Sequence, residues 1–282
     1  LGDSNGNGEV SVFDATNTVD QILERYTDRF IRKAADVNHD GIITVSDVTG
    51  TIDIILERPM ASRATHRAAS DTDDKVFIDD FKLTNGQQQT ISLQLTNTEL
   101  YTAFQCDIVL PEGLTVAEDD DNMPMVSICG ANANNHIVQT NYVSNGALRL
   151  LVMSMNNSPF KANVNNVVNL TLEANAAIPG QKVINIDNVR LVNAESRLET
   201  VAASTQATVD IVEETTNINS MAGLKVSINN HVITVIANAD TTLRLVSVDG
   251  KQRVLTVKAG TNSFFIPQSG IYMLQGRKIV IK

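Results

Sequence analysis

The sequence is poor in aromatic side chains: it has no Trp, four Tyr and eight Phe in 282 residues. Glycan-binding surfaces commonly stack sugar rings on Trp or Tyr, so an extended platform of that kind is not expected. Tyr101, Tyr142 and Phe160 could still line a glycan site, together with the Asn side chains around residues 132–141 and 156–169. Alternatively, these aromatic residues belong to the core or to strand corners, and the sequence favours that interpretation.

Basic residues and long apolar runs are also scarce. The chain has 22 Lys and Arg against 32 Asp and Glu, which gives a net charge of −10. Nucleic acids and anionic membranes both require basic patches, so neither is expected as a partner. No apolar run approaches the ~18 residues of a membrane-spanning helix, so no membrane span is expected.

No catalytic motif is present: the sequence lacks a G-x-S-x-G elbow, a phosphate-binding loop and a dinucleotide fingerprint. The acidic clusters at residues 71–74, 79–80 and 118–121 have no framework that would bring two carboxylates across a cleft, as glycoside hydrolysis requires. The four His residues are scattered without metal-binding spacing. The sequence therefore predicts that the protein is not an enzyme.

Only two cysteines occur, Cys106 and Cys129. They could pair in an oxidising compartment, or they could be two thiols buried in a β-sandwich core. The length of 282 residues suggests two or three domains.

A twelve-residue pattern occurs twice, at residues 3–14 and 36–47. In both copies, side chains with oxygen atoms fall at positions 1, 3, 5, 9 and 12, glycine at position 6 and an apolar residue at position 8. Ca²⁺ prefers six to eight oxygen ligands, and a loop of this length can wrap around one ion. The repeat therefore predicts two calcium-binding loops.

The segment after each loop repeats as well. Residues 14–25 read DATNTVDQILER and residues 47–58 read DVTGTIDIILER. Residues 1–58 thus resemble a type I dockerin, the calcium-loop-and-helix module that docks onto cohesin domains in extracellular glycan-degrading assemblies. The resemblance implies two Ca²⁺ ions. It assigns the first ion to Asp3, Asn5, Asn7, Ser11, Asp14 and the carbonyl of Glu9, and the second to Asp36, Asn38, Asp40, Thr44, Asp47 and the carbonyl of Ile42.

The resemblance also indicates the partner-binding residues, because dockerins select partners through loop positions 10 and 11. Here those positions hold Val12 and Phe13 in the first loop, and Val45 and Ser46 in the second, instead of the Ser-Thr pair common in the family. Val12 and Phe13 could anchor a partner or pack within this chain.

Helical spacing predicts a small core for this module and a connecting helix within residues 26–35. Pro59 ends the second repeat, and residues 59–75 lack apolar periodicity, so they are predicted to be a linker. The predicted core residues are Val19, Ile22, Leu23, Ile52, Ile55 and Leu56.

Residues 76–212 contain short alternating runs separated by turn signals, which is typical of an antiparallel β-sandwich. The run TISLQLTNTELYTAFQCDIVLPEGLTVAE, at residues 90–118, resembles the opening of a cohesin-type jelly roll. Carbohydrate-binding sandwiches share that fold, so the fold alone does not identify the ligand.

Residues 213–222 are predicted to be a second linker, and residues 223–282 a small Ig-like sandwich of very short strands. The run from Leu243 to the C-terminus, with SVDGK, GIYML and KIVIK, resembles the C-terminal sorting domain of secreted Bacteroidetes proteins. That resemblance implies export.

The sequence therefore predicts a multidomain chain: an α-helical, EF-hand-like dockerin module followed by two all-β sandwich domains. We expect a non-catalytic, calcium-stabilised protein that mediates protein–protein docking in a polysaccharide-utilising bacterium, outside the cell or on its surface. Its partner would be a cohesin-like domain, in this chain or in another, and we expect the two modules of this chain to touch, burying Val12 and Phe13. The alternatives are a glycan-binding accessory protein of a polysaccharide-degrading system and a piece of a hydrolase. Leu1 in place of an initiator Met suggests that a signal segment has been removed.

Overall fold

The computed structural model describes residues 1–58, 65–68, 73–161, 165–175, 179–193, 198–212, 216–221 and 224–282. The chain divides into two compact units, residues 1–212 and 213–282. No helix within the described residues is long and apolar enough to cross a membrane.

The first 58 residues, here called the helical module, contain three helices: α1 (Val12–Ile22), α2 (Arg32–Ala35) and α3 (Val45–Ile55). The duplicated sequence gives α1 and α3 the same kind of N-terminus, because Ser11 caps α1 and Thr44 caps α3, each through a capping box. The acidic partners in these boxes are Asp14 and Asp47. The predicted connecting helix is limited to the single turn of α2.

The rest of the first unit consists of short strands. They are β1 (Thr65–Ala68), β2 (Lys75–Phe77), β3 (Phe81–Thr84), β4 (Gln88–Thr96), β5 (Ala103–Val109), β6 (Leu114–Val116), β7 (Val126–Ile128), β8 (His136–Tyr142), β9 (Leu148–Ser154), β10 (Asn166–Ala174), β11 (Gly180–Asn193), β12 (Leu198–Val201) and β13 (Thr205–Val212).

These strands form two sheets that face each other as a sandwich. The large sheet has eight strands in the path β1-β12-β11-β5-β9-β8, with β13 joining β11 to β3. The small sheet has five, in the path β2-β4-β10-β6, with β7 beside β10. Side chains from both sheets alternate into one core, which includes Phe104, Leu150 and Ile186 from the large sheet and Leu93 and Leu170 from the small one. The predicted β-sandwich is confirmed.

The large sheet is covered on its outer face as well. In β5 the first six residues are all buried, although Gln105 and Asp107 alternate with the core residues Phe104 and Cys106. Alternation on an open sheet would leave the polar residues in solvent. They are buried here because the helical module lies on this face of the sheet.

Two strands lie inside the predicted linkers. β1 pairs in parallel with β12 at the edge of the large sheet, and β14 (Thr216–Met221) falls within residues 213–222. Neither segment has apolar periodicity, so only the pairing with a neighbouring strand defines it as β structure. Within the helical module, the predicted core residue Leu56 is 40% exposed, because it follows the last turn of α3.

The C-terminal unit is a smaller sandwich. Besides β14, its strands are β15 (Leu224–Asn229), β16 (Val232–Ala237), β17 (Thr241–Ser247), β18 (Gln252–Val257), β19 (Gly260–Phe265), β20 (Gly270–Leu274) and β21 (Arg277–Ile281). They form two four-stranded sheets, ordered β14-β15-β16-β19 and β18-β17-β20-β21. The core of this unit includes Val235, Leu245 and Leu274.

The first sandwich contains a buried histidine. His136, at the start of β8, is 3% exposed and stacks on Phe160 with 4.1 Å between ring centroids. Burial lowers the pKa of His136, because the charged imidazolium is poorly solvated there.

We therefore expect the first unit to lose stability on mild acidification. The unfolded chain binds a proton at His136 near pH 6.5 and the folded chain only at lower pH, so the free energy of unfolding falls as the pH drops below about 6.5. The His136→Phe variant should lose this pH-dependent part of the free energy of unfolding. Urea unfolding at pH 7.5 and 5.0, followed through the NMR signals of residues 136–154, measures it. The His39→Asn variant is the control, since His39 is exposed. An unchanged pH dependence in His136→Phe would contradict the assignment.

Candidate docking interface and calcium loops

The first predicted calcium loop is folded around its own side-chain oxygens. Both carboxylate oxygens of Asp3 accept hydrogen bonds, from the backbone N–H of Asn7 at 3.0 Å and of Gly8 at 2.9 Å. Asp14, at the end of the loop, reaches back to accept from Asn5 N–H at 3.1 Å and Ser11 N–H at 2.9 Å. The two ends of the loop are thereby held together around inward-facing oxygens.

The second loop has equivalent hydrogen bonds. Asp36 accepts from Asp40 N–H at 3.1 Å and Gly41 N–H at 3.0 Å. Asp47 accepts from Asn38 N–H at 3.4 Å and Thr44 N–H at 2.9 Å, and it also accepts from Val37 N–H at 2.8 Å. The glycine at position 6 has a positive φ in both loops, +96° at Gly8 and +84° at Gly41, which is the sharp bend that favours glycine there.

The donor set of these loops fits a hard divalent cation. Asp14 and Asp47 are both fully buried, and burial raises the pKa of Asp47 to about 7. A buried carboxylate is costly unless it has a cationic partner, and a bound Ca²⁺ would favour its charged form. No group of three His, Cys, Asp or Glu side chains suited to a metal occurs in the part of the chain that the structure describes. A calcium site here therefore depends on the Asn, Ser and Thr side chains and the carbonyls of Glu9 and Ile42.

The helical module packs on the outer face of the large sheet through an apolar contact. Residues from α1 and α3 form one buried cluster with four side chains that point outward from β5, β9 and β11. The sheet residues are Ala103, Leu151, Met153 and Val192, and the helix residues are Ala15, Val19, Ile22, Leu23, Val45, Val48 and Ile52.

Two arginines fix the C-terminal end of α1. Arg149 of β9 donates to the carbonyl of Ile22 at 3.0 Å and forms a two-pronged ion pair with Asp107, at 2.7 and 2.8 Å. Arg25 donates to the carbonyl of Thr140 at 2.8 Å. A cation at a helix C-terminus also stabilises the helix dipole, and the pairing with Asp107 raises the pKa of Arg149. This end of the interface is both charged and hydrogen-bonded.

The second calcium loop is bonded directly to the sheet. The Thr44 hydroxyl donates to a carboxylate oxygen of Glu199 at 3.3 Å, and Val45 N–H donates to the Gln105 side-chain oxygen at 3.2 Å. Glu199 is fully buried and paired with Arg190. A predicted calcium ligand, Thr44, is therefore also an interface residue.

The C-terminal half of α3 is held by the loop after β9. Asn157 donates through its side-chain amide to the Asp53 carboxylate at 2.7 Å and to the carbonyl of Thr49 at 3.3 Å. Asn157 has a φ of 52°, a left-handed conformation that Asn tolerates. Sequence reasoning missed Asn157, Arg149 and Glu199, because nothing in their local pattern indicates that a helix lies opposite them.

The two predicted partner-binding pairs lie in different environments. Val45 is fully buried at the contact with the sheet, and Ser46 is half-buried. Val12 is 52% exposed and Phe13 is 78% exposed. The expected contact between the modules is present, but the expectation that it buries Val12 and Phe13 is wrong, since the second loop makes the contact.

The structure also places the three aromatic residues that were considered for a glycan site and the two cysteines. Tyr101 and Phe160 are buried core residues and Tyr142 is 43% exposed. The Tyr101 hydroxyl donates to buried Asp74 at 2.7 Å. Cys106 is buried and Cys129 half-buried, and both are free thiols.

The family model described as "Dockerin type I domain" matches residues 1–56. No curated protein matches the sequence.

Among solved structures, a non-cellulosomal cohesin from Archaeoglobus fulgidus is 10% identical, with 50% of this chain and 92% of that chain covered and a TM-score of 0.37. A type I cohesin–dockerin complex from Clostridium thermocellum is 12% identical, with 49% and 99% covered and a TM-score of 0.39. The sixth cohesin of scaffoldin B from Acetivibrio cellulolyticus, in complex with a Cel5 dockerin mutant, is 17% identical, with 50% and 100% covered and a TM-score of 0.38. These likenesses concern the fold alone.

The sequence repeat, the two loops of matching geometry and the family match all fall on the same segment. Residues 1–56 match the family model of the dockerin type I domain, and in this chain that segment lies on the outer face of a β-sandwich.

Proposed function

We propose that residues 1–212 work as a self-docked assembly unit, in which the calcium-loaded dockerin domain binds the β-sandwich of its own chain. The unit would belong to a non-catalytic protein-docking system outside the cell or on its surface. The apolar cluster that α1 and α3 share with the large sheet supports this proposal. Without the helices, the sheet would expose a contiguous apolar face, which soluble proteins use as an interaction surface.

The calcium loops supply the rigidity that such a docking surface needs. We assign one ion to Asp3, Asn5, Asn7, Glu9, Ser11 and Asp14, and the other to Asp36, Asn38, Asp40, Ile42, Thr44 and Asp47. A module of 58 residues buries too little apolar surface to be robust alone, and a bound cation offsets the charge of its buried carboxylates. Loops of this type in extracellular modules bind Ca²⁺ at ~10⁻⁴–10⁻³ M, which suits an exterior with millimolar calcium.

The covalent connection favours docking within one chain. Residues 59–72 separate the end of the helical module from Asp73, and covalent linkage over a span of that length gives an effective concentration near ~10⁻³ M. Even a weak contact between two separate modules would be largely formed under that condition. The buried ion pair of Arg149 with Asp107 and the bonds made by Asn157 then define the orientation.

Removal of calcium should destabilise the helical module. Ions that bind only the folded state add about 2.7 kcal/mol at a hundredfold excess over Kd. EDTA should therefore lower the melting temperature of the helical CD signal at 222 nm, since the described α-helices all lie in residues 1–58. Asp3→Ala combined with Asp36→Ala should reproduce the effect. Asp119→Ala is the control, because Asp119 accepts the N–H groups of Asp121 and Met123 in a turn outside the loops. An unchanged melting curve in EDTA would overturn both calcium assignments.

The two loops should differ in their effect on docking. Within the described residues, the loop that hydrogen-bonds the sheet is the second one, through Thr44 and Val45, so Asp36→Ala should disturb the interface more than Asp3→Ala. The side-chain amide signal of Gln105 measures this: we expect a clear shift in Asp36→Ala and a small one in Asp3→Ala. Equal shifts in the two variants would contradict the coupling of the second loop to the interface.

Removing the Asn157 side chain should weaken docking without straining the backbone. Glycine accepts the φ of 52°, so Asn157→Gly deletes only the bonds to Asp53 and Thr49. The loss should be about 1–3 kcal/mol, because buried polar groups lose their partner. Amide exchange at Val45 reports the opening of the interface and should accelerate. Asn122→Gly, at an exposed turn with φ 58°, is the matched control. If Asn157→Gly leaves the exchange at Val45 as slow as Asn122→Gly does, Asn157 does not hold the interface closed.

A further inference from the structure

A groove of about 260 Å³ lies where α1 diverges from the large sheet. Its walls come from both modules, and most of its lining atoms are carbon. At one end Asp20 and Arg25 pair with each other at 3.2 Å, so this part of the rim carries a compensated charge. The other lining residues are Val12, Ala15, Thr16, Val19, Val48, Ile137, Gln139, Met153 and Met155.

The size and lining of the groove suit an aromatic ring. Protein interiors leave few voids larger than a water molecule, and unfilled apolar volume is unfavourable. An apolar cavity of about 150 Å³ is already sufficient to bind benzene. A groove of about 260 Å³ with two methionines and three valines in its walls therefore has room for a phenyl group.

The mouth of this groove is surrounded by exposed apolar side chains. Val12, Ile137 and Met155 line the groove and are 52%, 41% and 36% exposed. Phe13 follows Val12 on α1 and is 78% exposed. Consecutive residues on a helix point about 100° apart, and Phe13 is not among the residues that line the groove. Phe13 therefore leaves the groove of its own chain unfilled.

We propose that two copies of this chain pair through this face, each inserting Phe13 into the groove of the other. A surface that carries both an apolar protrusion and an apolar recess is complementary to itself about a two-fold axis, and such an isologous contact closes at two subunits. The contact would cover Val12, Phe13, Ile137 and Met155 together. It is continuous with the dockerin–sandwich interface, since Val48 and Met153 belong to both.

The pairing rests on the self-docked arrangement, because the groove has a wall from each module. It makes a different use of the dockerin domain, however. The second loop, with Val45, contacts the sheet of the same chain, whereas the first loop, with Phe13, contacts a second copy. A dimer formed by exchange of dockerin domains between chains would not depend on Phe13, so the two kinds of dimer can be told apart.

The test is sedimentation velocity of the calcium-loaded full chain from about 5 to 500 µM. Small interfaces are weak, so we expect the weight-average mass to rise with concentration from that of the 30.6 kDa chain toward twice that value. Phe13→Ser should weaken dimerisation at least tenfold. Phe265→Ser is the matched control, because Phe265 is 61% exposed in the C-terminal unit, and it should leave the dimerisation constant unchanged.

Methyl NMR locates the contact. A phenyl ring in the groove should shift the methyl signals of Met153 and Met155 as the concentration rises, and Phe13→Ser should abolish the shift. Met123, 54% exposed and outside the groove lining, should not move. A chain that stays monomeric at 500 µM, a dimer that persists in Phe13→Ser, or unshifted Met153 and Met155 signals would each overturn the pairing. If the NMR signal of the Gln105 side-chain amide keeps the chemical shift of the docked unit in such an experiment, the self-docked arrangement is supported and only the pairing of two copies is rejected.

Discussion

The burial of the outer face of the large sheet beneath α1 and α3 is the contact on which the arrangement of residues 1–212 depends. Strands β5 and β9 are buried on both faces, one against the small sheet and the other against the helices. This explains how a helical module too small to be robust alone and a sandwich with an apolar outer face are joined in one compact unit. Each component covers the surface that the other would leave exposed.

Polar groups at this apolar contact define the orientation of the helices on the sheet. Arg149 joins the end of α1 to Asp107, and Asn157 joins the end of α3 to the loop after β9. Between them, the Thr44 hydroxyl reaches Glu199. Because Thr44 also caps α3 and occupies position 9 of the second loop, the loop, the helix and the sheet share one residue. The two loops are alike in their internal hydrogen bonds, yet in the part of the chain that the structure describes it is the second that hydrogen-bonds the sandwich.

Much of the fold could be predicted from the sequence because the signals are local. The loop repeat, the caps at Ser11 and Thr44, and the longer alternating strands all follow from spacing within about twelve residues. The short strands β6, β7 and β12 have only three or four residues each, too few to show a period. β1 depends entirely on its pairing with β12. The docking contact was predicted in general, and Val45 was among the predicted partner-binding residues, but the sequence did not show which loop makes the contact: the exposed Val12 and Phe13 look as suitable as Val45. Only the folded chain shows that the polar residues Gln105 and Asp107 of β5 face a helical module instead of water.

Packing of the helical module on the sandwich of its own chain is tested most directly by nuclear Overhauser contacts between the Val48 methyl groups and those of Leu151 and Met153, in dilute calcium-loaded protein. A mixed sample of differently labelled chains separates contacts within one chain from contacts between chains. We expect strong contacts within a single chain. Their absence, with residues 1–58 tumbling independently of the sandwich, would contradict this packing.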